Sequence, residues 1–223
     1  MKASLLLFIL NSLSIFHGSI KANESLPDNI NFNVYRNGSQ IGFHKINFSG
    51  NQEAINVLIE IKFEVTFLGF VVYDYLHNNN EIWNGNSLVK LESTTNVNGD
   101  PHICNLKKSN SAYLINGTHE TKTLNTSPLP TSYWNKILVQ ERFRKVLNTQ
   151  DCSNIDFQIN LIGEEKIYNN SLLSDHYKMI GNEVTGEKVD IDIWYDKSDQ
   201  WVKMIFVKDE STIEYILDKY DSE

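Results

Sequence analysis

The chain has no clustered basic face. Its 20 Lys and Arg are scattered among 28 Asp and Glu, and the only concentrations, Lys107-Lys108 and Arg142-Phe143-Arg144-Lys145, are small. Nucleic-acid binding needs a cationic stripe, so the formal net charge of -8 reads as a solubility feature and no nucleic-acid partner is expected. Past residue 16 there is no apolar run approaching ~18 residues, which argues against a transmembrane helix in the remainder of the chain. Two cysteines without further ligands at suitable spacing do not supply a zinc site, and neither a metal nor a cofactor is expected. No Ser or Cys sits in a nucleophile-elbow context, so the expectation is a protein without enzymatic activity. Prolines number only four, leaving long stretches free to form strands.

What is present begins with an export signal. Met1-Lys2 is followed by an apolar run over 3–16 and then by Gly18, Ser19 and Ala22. This is the order of a secretory signal peptide, with cleavage expected after Ala22, a periplasmic destination and no membrane anchor once it is removed. In such an oxidising compartment Cys104 and Cys152 are either one disulfide or two buried thiols; spacing alone does not decide between them.

The remainder, 23–223, reads as a single β domain. Asn37-Gly38, Asn84-Gly85, Asn98-Gly99 and Asn116-Gly117 are hairpin signals, because both residue types tolerate positive φ. The cleanest pattern lies over 55–67, where Ile55, Val57, Ile59, Ile61, Phe63, Val65 and Phe67 share one face. A period of two sustained this long predicts one strand with a buried and a wet face, about twice the usual strand length, and therefore twisted and curled. Asn78-Asn79-Asn80 is expected to form a turn or bulge, and Pro128 and Pro130 an extended connector. Next, Thr131 or Ser132 is expected to cap a helix of two to three turns carrying Trp134, Ile137 and Leu138. The fold class is mainly β: a strongly curved antiparallel sheet or open half-barrel with one short helix as lid or plug.

The candidate site residues come from two stretches. Tyr75, His77, Glu81 and Trp83 project to one face if 78–80 stays extended. His77 beside Glu81 is either an oriented general base, as in a hydrolase, or a hydrogen bond that fixes strand register. Tyr133 and Trp134 follow the proline connector and are placed to plug the mouth of the sheet, either as ordinary lid packing or as a movable lid over an apolar groove. Asp190, Asp192 and Asp196 alternate on one strand face, where a solvated outer surface is the simpler reading than calcium binding.

Taken together, several stretches resemble a family of exported Gram-negative bacterial proteins of unknown function. These are Tyr73-Asp74-Tyr75-Leu76-His77, Glu81-Ile82-Trp83, Leu88 through Gly99, Thr131-Ser132-Tyr133-Trp134-Asn135, Leu147-Asn148-Thr149-Gln150 and Asp192-Ile193-Trp194-Tyr195-Asp196. Trp201-Val202-Lys203 and Ile213-Glu214-Tyr215 complete the set. That family usually has a glycine soon after the Thr-Gln pair, where this chain has Asp151-Cys152. The resemblance implies an architecture similar to periplasmic lipoprotein carriers of the LolA and LolB type, half-barrels whose concave apolar face receives acyl chains. The partner it implies is a hydrophobic small molecule or lipid; the alternative is a structural or interaction protein of the envelope with a filled core and an exposed edge strand.

Overall fold

The computed structural model describes residues 26–51 and 53–221. The leader expected over 1–22 lies outside them. The described chain forms 15 strands in one sheet: β1 (Ile30–Arg36), β2 (Ser39–Asn51), β3 (Ala54–Phe67), β4 (Phe70–Asn84), β5 (Ser87–Val97), β6 (Asp100–Ser109), β7 (Ala112–Gly117) and β8 (Thr121–Leu124). A connector follows, carrying β9 (Leu129–Pro130) and a single 3-10 turn (Lys136–Val139). The chain then continues through β10 (Phe143–Leu147), β11 (Asn154–Ile167), β12 (Leu172–Asn182), β13 (Lys188–Asp196), β14 (Trp201–Lys208) and β15 (Ser211–Leu217). The spatial order is β8-β7-β6-β5-β4-β3-β2-β1-β15-β14-β13-β12-β11-β10-β9, antiparallel throughout except for the short β9–β10 pair. Among the described residues no helix is long and apolar enough to cross a membrane.

The alternation read from the sequence positions the core. On β3, Val57, Ile59 and Phe63 are buried, while Leu58, Glu60 and Glu64 are exposed. On β4, Tyr75, His77, Asn79, Glu81 and Trp83 all point inward. The expected turn at Asn78-Asn79-Asn80 is not formed: β4 runs straight through it, because Asn79 finds an inward partner in Glu81. Asn116-Gly117 is likewise not a turn but the end of β7.

A sheet of this width must roll up, and two devices join its ends. Cys104 on β6 is bonded to Cys152 in the loop after β10, with Cα atoms 4.8 Å apart. The loop 148–153 thus reaches from one end of the sheet to the other. Ser93 Oγ donates to the Thr149 carbonyl, the Thr118 amide to the Asp151 carbonyl at 3.1 Å, and Lys122 Nζ to the Cys152 carbonyl at 2.8 Å. Gly117 makes this closure possible, since a Cβ there would collide with the Asp151 carbonyl and Cys152. Cys152 itself sits at φ 65°, a left-handed backbone that glycine adopts more readily, which is a physical reason for the glycine expected in this neighbourhood.

The long β3–β4 hairpin behaves differently. β2 pairs with β3 only as far as Gly42–Phe63, and β5 pairs with β4 only from Tyr75–Val97, whereas β3 and β4 stay paired out to Phe67–Phe70. Gly42 marks the departure, because a side chain there would strike the Lys62 carbonyl. The result is a two-stranded ribbon projecting about 14 Å past its neighbours at ~3.4 Å per residue. Its tip is apolar and wet: Leu68 is 81 % and Phe70 75 % exposed.

Candidate functional site

The segment 131–135 crosses the interior and divides it. The expected helix does not begin here. The Trp134 amide instead donates to the Ser132 carbonyl at 2.8 Å, closing a three-residue γ-turn around Tyr133 at φ 60°. Only then does the 3-10 turn start, capped by Asn135, whose Oδ1 accepts from the Ile137 amide. Two prolines hold the approach extended, and Tyr133 adopts a conformation that β-carbon sterics disfavour. Tyr195 supports it by donating its hydroxyl to the Tyr133 carbonyl at 2.7 Å. The tight turn places Tyr133 and Trp134 in different compartments.

Trp134 closes one end. Its ring meets Trp83 edge-on with centroids 5.3 Å apart and Phe48 at 5.2 Å. At the centre lies the fully buried Glu81 carboxyl. It accepts from Trp83 Nε1 at 2.7 Å, Trp134 Nε1 at 3.1 Å and Asn79 Nδ2 at 2.9 Å, and Ser132 contributes a further hydrogen bond. Burial raises its pKa above the ordinary carboxyl range, against the pull of those donors. This cluster ties the connector to β4.

The other end is open. A cavity of about 380 Å³ lies there, walled by Phe63, Tyr75, Tyr133, Phe206 and Tyr215, with His44 and His77 also in its lining. Phe63 and Tyr75 stack with centroids 5.3 Å apart, and Tyr215 meets Phe63 edge-on at 6.2 Å. The mouth carries Glu183, Glu187, Lys188 and Lys208. These charges largely answer one another: Lys208 pairs with Glu187, and Lys188 Nζ with Asp190 at 2.8 Å. The loop 148–153 forms one lip, and the apolar ribbon rises beside it from Tyr73, another lining residue.

Of the six residues singled out in sequence, the structure therefore brings Tyr75, His77 and Tyr133 to the cavity and gathers Glu81, Trp83 and Trp134 in the closed end. His77 and Glu81 do not pair. His77 Nδ1 bonds Thr95 Oγ1 at 2.7 Å, and its Nε2 lies 3.5 Å from Thr149 Oγ1. Burial lowers the His77 pKa to about 4, so it is neutral at ordinary pH. The oriented-base geometry that acid–base chemistry requires is absent from this pair. Of the β13 carboxylates, Asp190 and Asp192 bind Lys178 at 2.5 and 2.8 Å, Asp192 also bonds His176, and Asp196 accepts from the Ser198 and Gln200 amides.

Sequence reasoning missed His44, Tyr215 and the loop 148–153. For His44 a signal existed: it interrupts the inward apolar positions Ile46 and Phe48 with a polar ring.

No curated protein matches this chain. Among solved structures, it superposes on a beta-barrel-like protein of domain of unknown function DUF1849 from Brucella abortus. The TM-score is 0.60 at 7 % identity, covering 85 % of this chain and 94 % of that one, a likeness of fold alone. A family model described as domain of unknown function (DUF6134) matches residues 32–218, nearly the whole of the described sheet, and the chain belongs to that family.

Proposed function

We propose that this protein is an exported, periplasmic, non-catalytic binding protein that holds an apolar small molecule or lipid chain in the open end of its curled sheet. The observation that carries this reading is the aromatic-walled cavity of about 380 Å³ at the open end of the interior. That volume falls in the range of small-molecule sites. Burying apolar area there contributes roughly 25 cal/mol per Å², so few polar anchors are needed. The disulfide suits an oxidising compartment. The half-barrel resemblance to LolA- and LolB-type carriers supports the same reading, with one change: the tryptophan-bearing connector acts as a fixed floor, and Tyr133 is its contribution to the cavity.

The test is mass spectrometry of the organic extract from protein purified under native conditions, joined to titration with a fluorescent fatty acid. A co-purifying apolar compound near one per chain, displaced by the probe, supports the proposal. An empty extract with no probe binding removes it. In that case the second reading takes over, an interaction protein of the envelope that makes contact through an exposed strand ribbon and its apolar side chains. It is favoured by the ribbon tip, where Phe67, Leu68, Phe70, Val71 and Val72 are all exposed.

A further inference from the structure

His44 is a buried histidine that the rest of the fold does not use. It lies on the inward face of β2, 3 % exposed, among the rings of Phe32, Trp201 and Tyr215 at centroid distances of 6.3, 5.3 and 5.7 Å. Neither Nδ1 nor Nε2 has a hydrogen-bond partner among the described residues, and His44 lines the cavity. Its neighbour in the same lining, His77, is satisfied by two threonine hydroxyls. Buried polar groups are almost always paired, and a Leu or Phe at position 44 would fill this space without leaving two orphaned nitrogens.

From this arrangement we infer that the cavity takes an amphiphile head-inward: an apolar chain ending in an uncharged hydroxyl, which His44 binds. The inference rests on the reading that the cavity holds an apolar ligand, and it names the end of that ligand. A neutral imidazole offers one donor and one acceptor, and a hydroxyl, which both donates and accepts, can meet whichever nitrogen faces the chain end. Burial, reinforced by the charge of a protonated His77, holds the His44 pKa down at about 3, so the ring enters the complex neutral. A carboxylate head would find no cation in the inner cavity, since Lys188 and Lys208 stand at the mouth with acidic partners of their own. An ammonium head would find no carboxylate beside the ring. The chain then runs outward past Phe63 and Tyr75 toward the mouth.

The experiment compares 1-decanol with 1-fluorodecane, which keeps the chain and replaces the hydroxyl by an atom that donates no hydrogen bond and accepts only weakly, on wild-type protein and on His44→Leu. The alcohol-to-fluoride affinity ratio is expected to be about ten-fold higher on wild type than on His44→Leu, the factor one buried hydrogen bond supplies. Should that variant fold poorly, the imidazole nitrogen shifts of His44 in wild-type protein give the same answer: decanol moves them, the fluoride does not. Equal ratios on the two proteins, or His44 shifts that decanol leaves unmoved, overturn the inference while leaving an apolar cavity in place. Binding of neither overturns both.

Discussion

The two ends of the interior share the same strands and face opposite tasks. At the closed end β4 contributes Asn79, Glu81 and Trp83, and every polar atom of the Glu81 carboxyl is matched by a donor. At the open end the same strand contributes Tyr75 and His77, and the space in front of them is left unfilled. A single γ-turn at Tyr133 separates the two, sending adjacent residues of one segment into different environments. The comparison teaches that packing and vacancy are distributed along one strand, with the Glu81 cluster stabilising the frame around the hollow.

The sharpest way to break this contrast is to release the closure of the sheet. The Cys104–Cys152 bond spans 48 residues, and the chain-entropy relation assigns such a loop about 4 kcal/mol. Cys104→Ser with Cys152→Ser should lower stability by that order in urea titrations, and probe binding should weaken as the 148–153 lip loosens. Retained stability would show that the hydrogen bonds of Ser93 and Thr118 suffice.

Adjacent substitutions separate the two ends. Trp134→Ala should cost about 3 kcal/mol through lost packing and the loss of one of the donors to Glu81, with binding of an apolar probe within two-fold of wild type. Tyr133→Ala should cost less stability yet weaken probe binding about ten-fold. Reversal of that order would place the ligand at the closed end.

The ends also titrate with opposite sign. His44 and His77 have folded-state pKa values of about 3 and 4, below the 6.5 of a free imidazole, so the unfolded chain binds the extra protons. Their contribution to stability is complete above 6.5 and is lost as pH falls toward 4 for His77 and toward 3 for His44, at about 1.4 kcal/mol per pH unit for each ring. His44→Phe should halve that slope. Glu81 has its pKa raised, so its term favours the fold below 4.5 and fades as pH rises. Stability of wild type relative to Glu81→Gln should therefore decline with increasing pH, as denaturant titrations at several pH values will read.

The smallest effect belongs to the ribbon. Phe67→Ser with Phe70→Ser should change stability by no more than about 0.5 kcal/mol for each, since both rings are exposed, while reducing adsorption of a hydrophobic dye. A large loss would mean that the tip packs against something.

How much of this was legible in the sequence follows the range of the interactions. Alternation over 55–67 is local, and it gave β3, the curled sheet and an inward face as far as Phe63; beyond it Phe67 is exposed, because the hairpin there outruns its neighbours. Asn37-Gly38 and Asn98-Gly99 carry their own turn geometry, with φ of 50° and 82°, then 54° and 90°. Asn78-Asn79-Asn80 misled because its strand conformation depends on Glu81 accepting from Asn79 inside the fold. The helix expected from Ser132 misled because a cap residue followed by apolar spacing looks the same whether the next residue turns or coils; the Tyr195 bond to the Tyr133 carbonyl and the Tyr133–Trp201 ring contact favour the turn. The pairing of Cys104 with Cys152 and the fit of Gly117 against that loop depend on how the sheet rolls, which no short window contains. For the site, the face shared by Tyr75, His77, Glu81 and Trp83 was readable from β4 alone. Its division into a sealed half and a hollow half was not, because the dividing segment lies about 50 residues away in sequence.

The central claim is that the hollow at the open end receives an apolar chain, and isotope-filtered NOEs between decyl methyl ether and the protein test it most directly. Cross-peaks from the chain methylenes to the rings of Phe63, Tyr75 and Tyr215 are the expected result. Cross-peaks confined to Phe67 and Phe70 on the ribbon, with none inside, would contradict it.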